Sequence, residues 1–131
     1  MIIDSSVLIA ILRGESDGRA FAEVIDRAPR CRISAGTFLE TSIIVDGSRD
    51  PVLSRRLDEL INEANIAIEP VIEEHARIAR AAYRDFGKGS GHPAKLSFGD
   101  CFAYALAKTT GEPLIFKGRG FNETDVEAAI T

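Results

Sequence analysis

The sequence predicts an α/β domain in which a short-stranded parallel sheet is sandwiched by helices in three layers. Three observations predict it. Short apolar runs alternate with stretches of helical periodicity along the whole chain, the pattern of strands joined by crossover helices. A length of 131 residues supports one core but not two, so residues 1–131 read as a single domain. With 45% hydrophobic and 27% charged residues, the composition is globular rather than disordered.

The elements follow in order. Residues 2–4 read as a short buried strand that turns at once into a helix. That helix carries Val7, Leu8, Ile11 and Leu12 on one face and stops at Gly14. Ser16 and Asp17 can cap a second helix, with Phe21, Val24 and Ile25, ending before Pro29. Cys31-Arg32-Ile33 is a short strand. Ser34 then opens a helix through Phe38, Leu39, Ile43 and Ile44 that ends near Gly47.

Asp50-Pro51 starts another helix, with Pro at its first position and a stripe of Leu53, Leu57, Leu60, Ile61 and Ala64. Residues 66–69 alternate as a strand does. The next helix, from about Ile72, shows His75, Ala79, Ala82, Tyr83 and Phe86 on one face. Residues 87–93, Gly-Lys-Gly-Ser-Gly-His-Pro, form the one flexible, Gly-rich stretch. From Ser97 a helix runs to about Thr110. It is apolar without interruption from Cys101 to Ala107, which marks burial on nearly all sides. Leu114-Ile115-Phe116 is a core strand, and the tail from Lys117 is loop plus one short helix or strand.

Several classes are set aside. No apolar run approaches the roughly 18 residues of a membrane span, and no basic leader precedes the first strand. Cys31 and Cys101 make neither a disulfide framework nor a Cys-x-x-Cys pair, so both read as small buried hydrophobes in a reducing cytoplasm. The net charge of −4 argues against coating nucleic acid by bulk charge. Residues 77–95 nevertheless hold Arg77, Arg80, Arg84, Lys88 and Lys95 against Asp85 alone. A basic face beside acidic residues suits a polyanionic substrate, and equally a solvated helix face.

Four acids carry the chemistry: Asp4, Glu40, Asp100 and Asp125. Asp4 ends a strand, where open α/β sheets bind ligands. Each also has an ordinary structural use. Asp4 can cap the helix that follows, and Asp125 can favour a helix start. Glu40 follows Thr37, and Asp100 follows Ser97, at the capping-box spacing. Glu40 and Asp100 nevertheless lie among apolar residues with no Lys or Arg within a helical turn. Clustered carboxylates of that kind call for a cation, and an oxygen-only set favours Mg2+ or Mn2+ over zinc.

Met1-Ile2-Ile3-Asp4-Ser5-Ser6, Glu40, Phe86-Gly87-Lys88-Gly89, Phe98-Gly99-Asp100-Cys101 and Pro113-Leu114-Ile115-Phe116-Lys117-Gly118 occur in that order. The ordered set, over nearly the whole chain, resembles the PIN-domain family, specifically the VapC-type toxins of toxin–antitoxin pairs. The resemblance implies a Mg2+- or Mn2+-dependent endoribonuclease restrained by a VapB-type antitoxin. Asp4, Glu40 and Asp100 match its metal-binding and catalytic acids, and Ser6 the hydroxyl that supports the first. One departure stands out: after Lys117-Gly118 this chain has Arg119-Gly120-Phe121 where relatives usually carry a fourth acid. Asp125 could substitute weakly, or the site holds one metal at rest and Arg119 meets the substrate phosphate.

The expected reaction is hydrolysis of RNA phosphodiester bonds, with Lys88, Lys95, Arg84, Lys117 and Arg119 as RNA contacts. Most of the apolar residues of the first two helices are expected to serve core packing, and part of that surface could receive an antitoxin helix or a second copy in a homodimer. Two rival classes remain. One is a catalytically impaired PIN-fold module that only binds a partner, raised by Arg119-Gly120. The other is a receiver-like phosphoacceptor, for which strand 66–69 offers only Glu69.

Overall fold

The computed structural model describes residues 1–130. Its architecture starts from two apolar dipeptide strands, Ile-Ile and Leu-Ile. In β1 (Ile2–Ile3), Ile2 packs into one apolar cluster and Ile3 into another. β4 (Leu114–Ile115) repeats this, with Leu114 on the side of Ile2 and Ile115 on the side of Ile3. Alternate residues of a strand face opposite ways, so two strands of two residues each serve two cores. β2 (Cys31–Ser34) and β3 (Ile66–Glu69) complete a four-stranded parallel sheet of order β3-β2-β1-β4.

Six helices join the strands. α1 (Ser5–Leu12) and α2 (Gly18–Arg27) lead from β1 to β2, and α3 (Ala35–Gly47) and α4 (Pro51–Glu63) from β2 to β3. α5 (Glu73–Phe86) and α6 (Asp100–Thr110) return the chain to β4. Residues of α1, α2 and α4 fill the Ile3 side of the sheet, and α5 and α6 the Ile2 side. The predicted three layers are present. α6 is buried as its composition predicts, from Cys101 through Ala103 to Ala107. Asp50 accepts from the Val52 N–H at 2.9 Å, with Pro51 next, as expected for α4. No helix among the described residues is long and apolar enough to cross a membrane.

One expectation is corrected. Val7, Leu8, Leu12 and Phe21 are all buried, and Ile11 and Val24 pack on the same core. The first two helices therefore leave no broad apolar face for a partner. Conversely, the side of α3 that is buried is Thr37, Thr41 and Val45, while Leu39 and Ile43 are 58% and 62% exposed. On the exposed side α6 approaches closely: a Cβ on Gly36 would sit 2.4 Å from the Phe102 ring, and both line an open cleft with Leu39 and Ile43. The tail adds a 3-10 turn, Gly120–Glu123, and a parallel bridge from Leu114 to Ala128.

The strand order fixes where a ligand can sit. From β1 the chain winds outward through β2 to β3, then crosses back to lay β4 on the other side of β1. The C-terminal end of β1, between oppositely wound connections, is the crevice of such a sheet. Asp4 stands there.

Candidate active site

Asp4 caps α1 in an extended conformation, as one structural reading of the sequence has it. Its Oδ2 accepts the Ser6 N–H at 3.1 Å and the Ser6 hydroxyl at 2.6 Å. The Ser6 Oγ in turn accepts the Lys117 N–H at 3.0 Å, tying the end of β4 to the same point. The other oxygen, Oδ1, is buried and has no hydrogen-bond partner. A buried, unsatisfied carboxylate oxygen is costly and points to something it should hold.

Glu40 arrives from the second turn of α3, and the Ser5 hydroxyl donates to its Oε1 at 3.0 Å. The capping-box partnership with Thr37 is not formed: Thr37 Oγ1 is buried without a partner. Glu40 instead lies against the N-terminus of α6. A Cβ on Gly99 would fall 1.6 Å from Glu40 Oε2, so the carboxylate occupies the space that the glycine leaves open. Asp100 does form its capping box. Oδ2 accepts the Ser97 N–H at 2.9 Å, and the Asp100 N–H donates to Ser97 Oγ at 3.2 Å. That bond uses one oxygen and leaves Oδ1 without a protein partner among the described residues.

The pKa of Asp4 is raised to about 6: burial contributes most, the charges of Asp100 and Glu40 add to it, and the bonds from Ser6 pull it down. No Lys, Arg or His pairs with Asp4, Glu40 or Asp100 among the described residues. The three acids are thus brought together uncompensated. They stand close enough for two of them to raise the proton affinity of the third, without three His, Cys, Asp or Glu groups closing on one ion-sized point. Oxygen donors alone, one orphaned and buried, suit a hard divalent cation. Neither cysteine offers a rival chemistry. Burial raises the Cys31 pKa, and burial with the Asp100 charge raises that of Cys101 to about 11.

The other expected residues divide. Asp125 does not join the cluster: its oxygens accept the Tyr104 hydroxyl at 2.6 Å and the Lys108 ammonium at 2.9 Å. The Tyr104 bond leads the influences that lower its pKa, so it is ionised and engaged. The Lys117 ammonium pairs with Glu15 at 2.5 Å and Asp17 at 3.1 Å, and Arg84 pairs with Asp85 at 2.9 Å. Asp17 makes no side-chain cap for α2, because its carboxylate faces Lys117. Lys88, Lys95 and Arg119 are exposed and in no ion pair among the described residues.

Sequence reasoning passed over Ser5 and Gly99, which hold and make room for Glu40. The signal for Ser5 was its place between Asp4 and Ser6.

The PIN domain family model matches residues 1–127. The chain belongs to the PIN-domain family. Within it, the chain is 55% identical over 130 residues to ribonuclease VapC28 of Mycobacterium tuberculosis, covering 99% of this chain and 98% of that protein. It is 44% identical to ribonuclease VapC42 of the same species, across the full length of both. This PIN domain also resembles a chain in a toxin–antitoxin complex from Klebsiella pneumoniae. That match has a TM-score of 0.69 at 19% identity, over 92% of this chain and 88% of that one, and speaks for the fold.

Proposed function

We propose that this PIN domain is a Mg2+- or Mn2+-dependent endoribonuclease and the toxin of a toxin–antitoxin pair, working in the cytoplasm. Asp4 through Oδ1 and Asp100 through its free oxygen would hold the cation. Glu40, fixed by Ser5, would ligate it or orient a water. Ser6 holds Asp4 in place by taking both roles in a bond chain to the Lys117 backbone. A cation bound there supplies a lowered pKa for the attacking water and stabilises charge on the phosphate oxygens. Displacement in line then leaves a 5′-phosphate. What supports this reading is three unpaired carboxylates at the crevice of the sheet, one with a buried, unpartnered oxygen.

The test is cleavage of RNA by the purified chain free of any partner. The wild type cuts with Mg2+ and stops with EDTA, and Asp4→Asn or Asp100→Asn slows cleavage about 100-fold or more, the scale of a lost electrostatic catalytic contact. A variant as fast as wild type refutes the assignment. The rival, an impaired module that only binds a partner, draws on Arg119-Gly120 and on the engagement of Asp125 by Tyr104 and Lys108. It predicts no Mg2+-dependent cleavage by the wild type.

For partners, the apolar surface that the fold exposes is not on α1 and α2. Leu39, Ile43 and Ile44 of α3, with Phe98 and Phe102, line a cleft of about 460 Å³ that also includes Glu40 and Gly99. Phe98 is 76% exposed. An exposed apolar patch of this kind marks an interaction site. A VapB-type antitoxin seated there would reach the acids, and an arginine from it would pair with them. A second copy of the chain would cover the same face in a homodimer, which light scattering showing only monomer would remove.

A further inference from the structure

The connection between α5 and α6 is not the flexible stretch that its glycines suggest. Gly87 and Leu96 close its base as a parallel bridge, with the Lys88 N–H donating to the Leu96 carbonyl at 3.0 Å and the Leu96 N–H to the Phe86 carbonyl at 2.9 Å. Within it, the Ser90 hydroxyl donates to the Gly87 carbonyl at 2.6 Å and accepts the His92 N–H at 3.2 Å. The Ala94 N–H donates to His92 Nδ1 at 3.1 Å, and the His92 ring meets Phe86 edge-on at 4.9 Å. Gly89 and Gly91 take φ of 86° and 85°, and Lys95 sits at φ 48°, a conformation unusual for a side-chain-bearing residue. A loop so tied presents a fixed surface.

That surface is a recess of about 390 Å³ lined by Lys88, Gly89, Gly91, His92 and Lys95. It has two cations and no acid. Because Nδ1 of neutral His92 is occupied as an acceptor, the ring proton lies on Nε2, which becomes a donor. The recess also has a fixed relation to the acids. Leu96 closes the loop, and the next residue, Ser97, donates its N–H to Asp100. On the other side, a Cβ on Gly120 would lie 3.0 Å from the Ala94 carbonyl, so the Arg119-Gly120 segment rests on the loop.

We propose that this recess is a phosphate subsite, holding a backbone phosphate of single-stranded RNA beside the one that is cleaved. Lys88 and Lys95 supply charge, and His92 a hydrogen bond from Nε2. A cluster of acids repels a polyanion, and a rigid cationic recess alongside offsets that repulsion without entering the acid site. The identity of the polyanion rests on the nuclease reading; the cationic recess does not.

The experiment is fluorescence anisotropy of a short labelled single-stranded RNA in EDTA, where metal-dependent cleavage stops, across about 50 to 200 mM salt. Lys88→Gln/Lys95→Gln is expected to weaken binding and to reduce the slope of log affinity against log salt by about 0.7, the value for one lost single-strand phosphate contact. His92→Asn keeps an acceptor for the Ala94 N–H and removes the Nε2 donor, so it weakens binding with the slope unchanged. Arg27→Gln/Arg30→Gln, the same charge change beyond α2, leaves the slope as in wild type. The proposal is overturned if the lysine variant leaves the slope unchanged, if the arginine variant lowers it equally, or if the wild type binds no RNA. Slope loss together with an inactive wild type would keep the subsite and refute the nuclease; cleavage with an unaltered slope would do the reverse.

Discussion

Asp4 condenses the site into one side chain. Its pKa of about 6 stands above the ordinary 3.8 because burial disfavours the charge and Asp100 and Glu40 add to that. The sign follows from proton counting. Between about pH 4 and 6 the folded chain holds this proton and the unfolded chain has lost it, so Asp4's contribution to stability is present at low pH and lost as pH rises through 6. At about 1.4 kcal/mol per pH unit, the loss is on the order of 3 kcal/mol. Asp4→Asn keeps an acceptor for Ser6 and removes the charge. It is expected to raise the melting temperature of the metal-free protein at pH 7.5, with little effect at pH 4. Thermal unfolding at the two pH values checks this, and an unchanged or lowered melting temperature at pH 7.5 contradicts the burial argument.

At the scale of elements, the N-terminus of α6 decides the geometry of Glu40. Gly99 has an ordinary helical backbone, φ −63°, so its need for glycine comes from the neighbouring carboxylate. Gly99→Ala is expected to fold, because the end of a Glu side chain can move, and yet to lose at least about 10-fold in cleavage through displaced Glu40, a cost typical of mispositioning. Ser97→Ala, by contrast, removes a capping-box partner and is expected to cost about 1 kcal/mol of stability. Circular dichroism melts and cleavage rates on the same two variants separate the effects. Equal activity of Gly99→Ala and wild type would show that the contact with Glu40 is incidental.

Much of this was readable in the sequence, and several of the failures share a physical cause. The strands at Ile2 and Leu114, the buried α6 and the three acids were legible because periodicity and uncompensated charge are local signals. α3 was legible as a helix but not as to its faces. Its apolar Leu39 and Ile43 point outward, into a cleft shared with Phe102 of α6, and Thr37 and Thr41 point inward. That is a property of packing between elements distant in sequence. Asp125 and Lys117 failed for the same reason: each meets a partner, Tyr104 and Lys108 or Glu15 and Asp17, that only the tertiary fold supplies.

For the whole molecule, the C-terminal end of the sheet gathers the acids that the function would use. The strand order places the end of β1 at the crevice, α3 and α6 bring Glu40 and Asp100 to it, and the α5–α6 loop runs on into Ser97, which bonds Asp100. The exposed α3 and Phe98 surface adjoins the same acids, so a partner that covers it also covers the site. The account depends on those acids sharing a hard cation. Calorimetric titration of Mn2+ into the partner-free wild type and into Asp4→Asn and Asp100→Asn at pH 7.5 tests this most directly. The account predicts saturable binding to the wild type, weakened at least about 10-fold in each variant. Binding of equal strength in all three, or none in the wild type, would contradict it.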